Sequence, residues 1–173
     1  LVQNVFAEFQ AGASKIDVSP KEFPVLVNGG FMSRTANSVT DPLHARSLVL
    51  ADGKTQIAIV VVDSCMMPRP LLDKAKELAA RKTGIRADHI LVSATHTHTA
   101  PSSFACLGTD ADPRYVPFLI QKIVESIGAA QKNLQSAQAG WHSVQAPEFT
   151  ALRRWIIRPD RMELDPFGNR SVR

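Results

Sequence analysis

Two histidines with a single threonine between them, His96 and His98, close the apolar run in "ILVSATHTHTAPS", residues 90–102. In an extended segment, side chains two positions apart point to the same side, so these rings are expected to face one cavity. Neutral imidazole suits zinc, and a catalytic zinc takes about three protein ligands while keeping one position open for water. That water ionises near pH 7 and makes hydroxide available at ordinary pH. Two imidazoles alone specify no zinc site, and an H-x-H pair also decorates ordinary strand tips. Asp63, which ends a second apolar run in "IAIVVVD", reads either as a carboxylate orienting a histidine or as a capping loop aspartate. Thr95, Thr97 and Thr99 read either as partners for the second ring nitrogens or as ordinary β-branched strand residues. His44 and His89 rank lower, each at the start of a strand. His142 alternates with Trp141 in a strand, where a packed or half-exposed histidine is usual.

Residues 44–63 read as two strands around a turn, with Asp52-Gly53 supplying the positive φ of a tight hairpin. The second strand is apolar on both faces, which predicts a central position in a sheet covered on both sides. "RPLLDKAKELAARKTG" sets Leu71, Leu72, Ala75, Leu78 and Ala79 on one helical stripe, and Gly84 falls at the C-cap. The strand "HILVSAT", reached through that helix, is expected to run parallel to "IAIVVV". Asp112-Pro113 reads as an N-cap and first-turn proline for a helix carrying Val116, Ile120, Ile123, Val124 and Ile127. "AGWHSVQA" is expected to form one more strand, and residues 20–43 a loop punctuated by glycine and proline. Hairpin, helix, strand, helix, strand is an α/β order: a mixed β-sheet with flanking helices, in a single domain over residues 1–173. Ligands bind such sheets at the carboxyl ends of the strands, so Asp63, His96 and His98 are expected along one edge.

With 173 residues, 45% of them hydrophobic and 21% charged, the chain can bury one core. The formal net charge is +4, and Arg153, Arg154, Arg158, Arg161, Arg170 and Arg173 crowd the last stretch among acidic residues. A nucleic-acid reader carries a denser basic face with aromatic platforms, so no nucleic-acid partner is expected. No run reaches the ~20 apolar residues of a membrane span. The opening "LVQNVFAEFQ" lacks the basic start and apolar stretch of a signal peptide. Because it starts at Leu1 and stops in loop-like "PFGNRSVR", the chain is expected to be processed or cut from something longer. Cys65 and Cys106 make no disulfide framework, and since each follows a strand by a few residues, a bridge between them stays open.

"AGASKIDVSP", "DPLHARSLVLADGKTQIAIVVVDSCMMP", "ILVSATHTHTAPS" and "LRRWIIRPDRM", in that order, resemble the N-terminal domain of the neutral/alkaline non-lysosomal ceramidase family, most closely its bacterial branch. The likeness runs from about Ala11 to the end of the chain, and T-H-T-H-[ST]-x-P is its most specific element. The resemblance implies a zinc-dependent amidase that cleaves the N-acyl bond of a ceramide-like lipid or a related amide. It makes His96 a zinc ligand and His98 the imidazole that meets the substrate amide. Arg153 matches an arginine lining the same site, although Leu152 stands where the family has asparagine and Arg154 competes for the role. Thr40 replaces a histidine that many relatives carry before D-P-L. The family's other zinc ligands, a histidine, a glutamate and a tyrosine, lie in downstream segments that nothing in this chain matches. The family's common export implies a periplasmic or secreted protein with peripheral membrane contact, and the resemblance leaves its oligomeric state undetermined.

The chemistry agrees: amide hydrolysis needs hydroxide, a positive group for the oxyanion and a proton for the leaving amine. His98 and Arg153 suit the last two tasks, with Asp63 orienting. Two other readings stand beside it, a metal-dependent phosphoesterase using H-x-H and Asp63, and a non-enzymatic binding module. The amidase reading predicts that these 173 residues alone are inactive and bind zinc weakly or not at all. Zinc titration calorimetry checks this, and submicromolar stoichiometric binding would mean that local residues complete the site.

Overall fold

The computed structural model describes residues 9–151 and 157–170. The chain divides into two compact units, Leu1–Gln138 and Ala139–Arg173. In the first unit, β1 (Gln10–Asp17) is followed by a small hairpin of β2 (Val25–Val27) and β3 (Arg34–Ala36). Then come β4 (His44–Ala51), β5 (Gln56–Val62), α1 (Arg69–Thr83), β6 (Ile90–Ala94), α2 (Tyr115–Lys132) and β7 (Gln135–Ser136). Among the described residues the sheet has five strands in the order β6-β5-β4-β1-β7. It is mixed: β1, β4 and β5 pair antiparallel, and β5 pairs parallel with β6 across the α1 crossover.

The β4–β5 hairpin forms as its turn residues direct. Asp52 Oδ1 accepts the N–H groups of Lys54 (3.0 Å) and Thr55 (2.7 Å), and Gly53 takes φ 83°. Helix α1 ends at Gly84, whose left-handed φ of 76° lets its N–H reach Ala80 O at 2.9 Å. The spacing anticipated β4, β5, α1, β6 and α2. It did not anticipate β1, since "QAGASKID" is rich in small residues of low strand propensity. That strand is held instead by eight consecutive pairs with β4, Gln10↔Ala51 to Asp17↔His44.

The loop expected over residues 20–43 holds the β2–β3 hairpin, in which Val25–Val27 pair with Arg34–Ala36. Two further expectations are corrected. Residues 139–146 form no strand, and Trp141 and Val144 stand 93% and 80% exposed. A strand needs a partner, and the chain rejoins the sheet earlier, where β7 pairs with β1. The second unit, as described, holds short 3₁₀ turns at Pro147–Phe149 and Pro159–Arg161 and a turn closed by Asp165 Oδ1 on the N–H of Phe167 and Asn169. Second, among the described residues β5 is covered on one face only. Ala58, Val60 and Val62 point into a core shared with Leu71 and Ala75 of α1 and Leu119, Ile123 and Ile127 of α2. On the opposite face Ile57, Val61 and Leu91 are 38%, 36% and 60% exposed. Both helices therefore pack on the same side. No helix among the described residues is long and apolar enough to cross a membrane.

Helix α2 is pinned to the sheet by a buried hydroxyl cluster. Ser126 Oγ lies 2.6 Å from Ser47 Oγ and 3.0 Å from Ser14 Oγ. Its first turn is capped by Asp112, whose Oδ1 accepts the N–H of Arg114 and Tyr115 while Oδ2 accepts that of Leu26. Burial pushes this carboxyl up, but those donors and the Arg114 guanidinium outweigh it and hold the pKa below the ordinary 3.8. With the folded value below the unfolded one, the stabilisation is complete above about pH 5 and fades as pH falls through the folded pKa. Asp112→Asn is expected to cost about 2 kcal/mol at neutral pH. Urea unfolding at stepped pH should show the gap from wild type closing below pH 3.8.

Candidate metal centre

Parallel pairing brings the ends of β5 and β6 side by side. Val62 pairs with Ala94, and one further bond, from Thr95 N–H to Val62 O at 2.9 Å, carries the ladder one residue past β6. Beyond it the β5 end runs through Asp63 and Cys65 into α1, and the β6 end runs through His96 and His98. The extended geometry expected for the pair is not what the structure uses. The strand stops at Ala94, and His96 takes a left-handed φ of 63°, uncommon for a side chain-bearing residue. Such a conformation costs on the order of 1–3 kcal/mol and persists only where its surroundings enforce it. The rings meet all the same. Their centroids are 4.8 Å apart at 85°, the two Nε2 atoms are 3.3 Å apart, and both side chains are exposed to solvent.

The hydrogen bonds define which nitrogen does what. His96 Nδ1 lies 2.8 Å from Cys65 O, a contact in which only Nδ1–H can donate. In the neutral imidazole that leaves His96 Nε2 with its lone pair, the state a metal-ligating imidazole requires. His98 Nε2–H is then the donor into it across the 3.3 Å gap. Two nitrogens bound tetrahedrally to zinc sit roughly 3.4 Å apart, so the pair already has the right bite. Cys65 Sγ lies 3.8 Å from His96 Nδ1, and one ligand atom from each of Cys65, His96 and His98 falls within 4.8 Å of the others. Cys65 is 2% exposed, and burial, with a smaller contribution from Cys106, pushes its thiol pKa up. His96 Nε2 is thus the ready donor, His98 Nε2 joins it only with its proton moved to Nδ1, and the thiol only on losing its own. The donor set fits one corner of a zinc site, with two more side chains at hand.

The other sequence candidates fall as follows. Asp63 sits at the neighbouring strand end, but its hydrogen bonds go to Arg46 Nη1 (2.9 Å) and the His44 N–H (2.9 Å). Burial raises that carboxyl and these partners, outweighing it, lower it. Cys65 O, not Asp63, orients His96. Thr97 and Thr99 bond each other at 3.0 Å, leaving the ring nitrogens to other groups. His44 Nδ1 stands 3.9 Å from Asp63, and His89, half-buried, meets Gln56 O at 3.2 Å. His142 is exposed in irregular chain. Arg153 and Arg154 lie outside the described residues. Residue spacing alone missed Cys65 as a neighbour of the histidines. The signal was its place just after the strand next to theirs, at the same sheet edge.

Cys65 and Cys106 are both free, the first buried and the second half-buried. Cys106 is expected to alkylate with iodoacetamide at least about tenfold faster than Cys65, given its greater exposure and the raised thiol pKa of Cys65. Peptide mass mapping over a time course reads the two rates separately.

No known family model matches the chain. Its fold is similar to part of the crystal structure of neutral ceramidase from Pseudomonas aeruginosa, at TM-score 0.67 and 21% identity over 75% of this chain and 22% of that one. A ceramidase complexed with C2 is similar at TM-score 0.62 and 21% identity, with the same coverage, 75% and 22%. The chain thus spans under a quarter of the length of the ceramidases whose fold it shares.

Proposed function

We propose that this chain supplies one wall of the active site of a zinc-dependent amidohydrolase of neutral ceramidase type, which hydrolyses the N-acyl amide of a ceramide-like lipid or a related amide. The observation that carries this reading is the 3.3 Å approach of His96 Nε2 to His98 Nε2 at the carboxyl ends of parallel strands, in a ceramidase-like fold. In this reading His96 binds the metal through Nε2, its Nδ1–H anchored on Cys65 O. His98 holds the substrate amide and passes a proton to the leaving amine. Arg153 meets the oxyanion. Asp63 braces the start of β4 through Arg46 and the His44 backbone. Zinc, when bound, lowers the pKa of water to near 7 and so supplies hydroxide. Zinc ligands beyond this chain complete the shell, and the protein works outside the cytoplasm on a lipid amide, touching the membrane peripherally.

A two-metal phosphoesterase would need several further carboxylates or histidines around the pair. Among the described residues the cluster gathers none, so that reading draws no support. The test is hydrolysis of short- and long-chain N-acyl substrates by the complete protein, with bound metal measured in parallel. His96→Ala should lose both turnover and stoichiometric metal, and His98→Ala should keep metal while losing about a hundredfold or more in kcat. A His96→Ala protein that retains activity and metal would remove the reading.

A further inference from the structure

We propose that Gly29 and Arg34, on the β2–β3 hairpin, are positioning residues for His98, and that the hairpin is a clamp that sets the distance between the two imidazoles. The inference deepens the hydrolase reading, and it rests on that reading only for its purpose, since its test reads ring geometry rather than turnover.

The hairpin and the histidine loop are joined along their length. Ser102 N–H donates to Leu26 O at 2.7 Å, and Val27 bridges to Pro101. Asn28, 1% exposed, donates through Nδ2 to Ser102 Oγ at 3.1 Å and to Phe104 O at 2.7 Å. Its Oδ1 accepts the N–H of Gly29 at 2.6 Å, which fixes the loop where it passes His98. A Cβ on Gly29 would stand 2.6 Å from His98 Cβ and Cγ and 2.8 Å from its Cα, and Gly29 has φ 102°. No side chain fits there unless His98 moves. Arg34 Nη2 donates to His98 O from the other arm of the hairpin. His96 is anchored independently, by Cys65 O on the β5–α1 loop. The two rings are therefore held from opposite supports, and their spacing follows from both.

Two other glycines supply the controls. A Cβ on Gly30 would come no closer than 3.6 Å to anything, at a backbone angle open to other residues. Gly84 has φ 76° with nothing within 4 Å, so alanine there carries left-handed strain without a clash. The experiment is NMR of the 173-residue chain, following the nuclear Overhauser contact between the ring protons of His96 and His98, with dispersion of the amide spectrum as the check on folding. Wild type, Gly30→Ala and Gly84→Ala should show the ring contact. Gly29→Ala and Arg34→Met should lose it while keeping a dispersed amide spectrum. Arg34→Lys, which can still donate to the carbonyl, should restore it in part. Absence of the contact in wild type, or its persistence in a folded Gly29→Ala, overturns the proposal. If Gly29→Ala does not fold, persistence in the surface variant Arg34→Met overturns it instead.

Discussion

Parallel strands share a direction, so their carboxyl ends open on one edge, and the pairing of β5 with β6 is the constraint on which the site depends. The register Val62↔Ala94 decides that Cys65 and His96 leave the sheet next to each other. An antiparallel partner in the same place would have brought a strand's amino end to that edge and sent the histidines to the opposite one. The α1 crossover makes the parallel arrangement available, and the buried stripe of Leu71, Ala75 and Ala79 secures the crossover to the core.

Strain and hydrogen bonding then act on the same residue. His96 is held in a left-handed backbone conformation while its ring is fixed through Nδ1 on a main-chain carbonyl. A carbonyl is a firmer anchor than a carboxylate on a flexible stem, because the loop that carries it is itself tied down. Ser64 Oγ and Ser103 Oγ both reach Met66 O, at 3.3 Å and 2.8 Å, so the Cys65 loop and the loop after His98 brace each other. Asp63, free of that duty, neutralises Arg46 and caps the first N–H of β4.

The fold was legible where the pattern was local and strong. Asp52-Gly53 marked the hairpin, Gly84 marked the end of α1, and Asp112 marked the start of α2. It was illegible where long-range partners decide. β1 has a weak strand composition and exists through β4, while the Trp141 segment has a strand-like composition and finds no partner among the described residues. The convergence of the histidines was foreseen, but through strand alternation rather than through the turn at His96 that produces it. Their supports, Cys65 O, Gly29 and the Arg34 guanidinium, act through backbone atoms or through a missing side chain, and neither leaves a residue-type signature in sequence.

The one-sided cover of the sheet has a calorimetric consequence. Ile57, Val61 and Leu91 are already hydrated in the folded state, so melting exposes less new apolar surface than a sheet buried on both faces would. Apolar hydration dominates the heat-capacity change, typically about 12–15 cal/mol/K per residue, and this chain should fall toward or below the low end. Its stability curve is accordingly broad and shallow, with less curvature toward the cold.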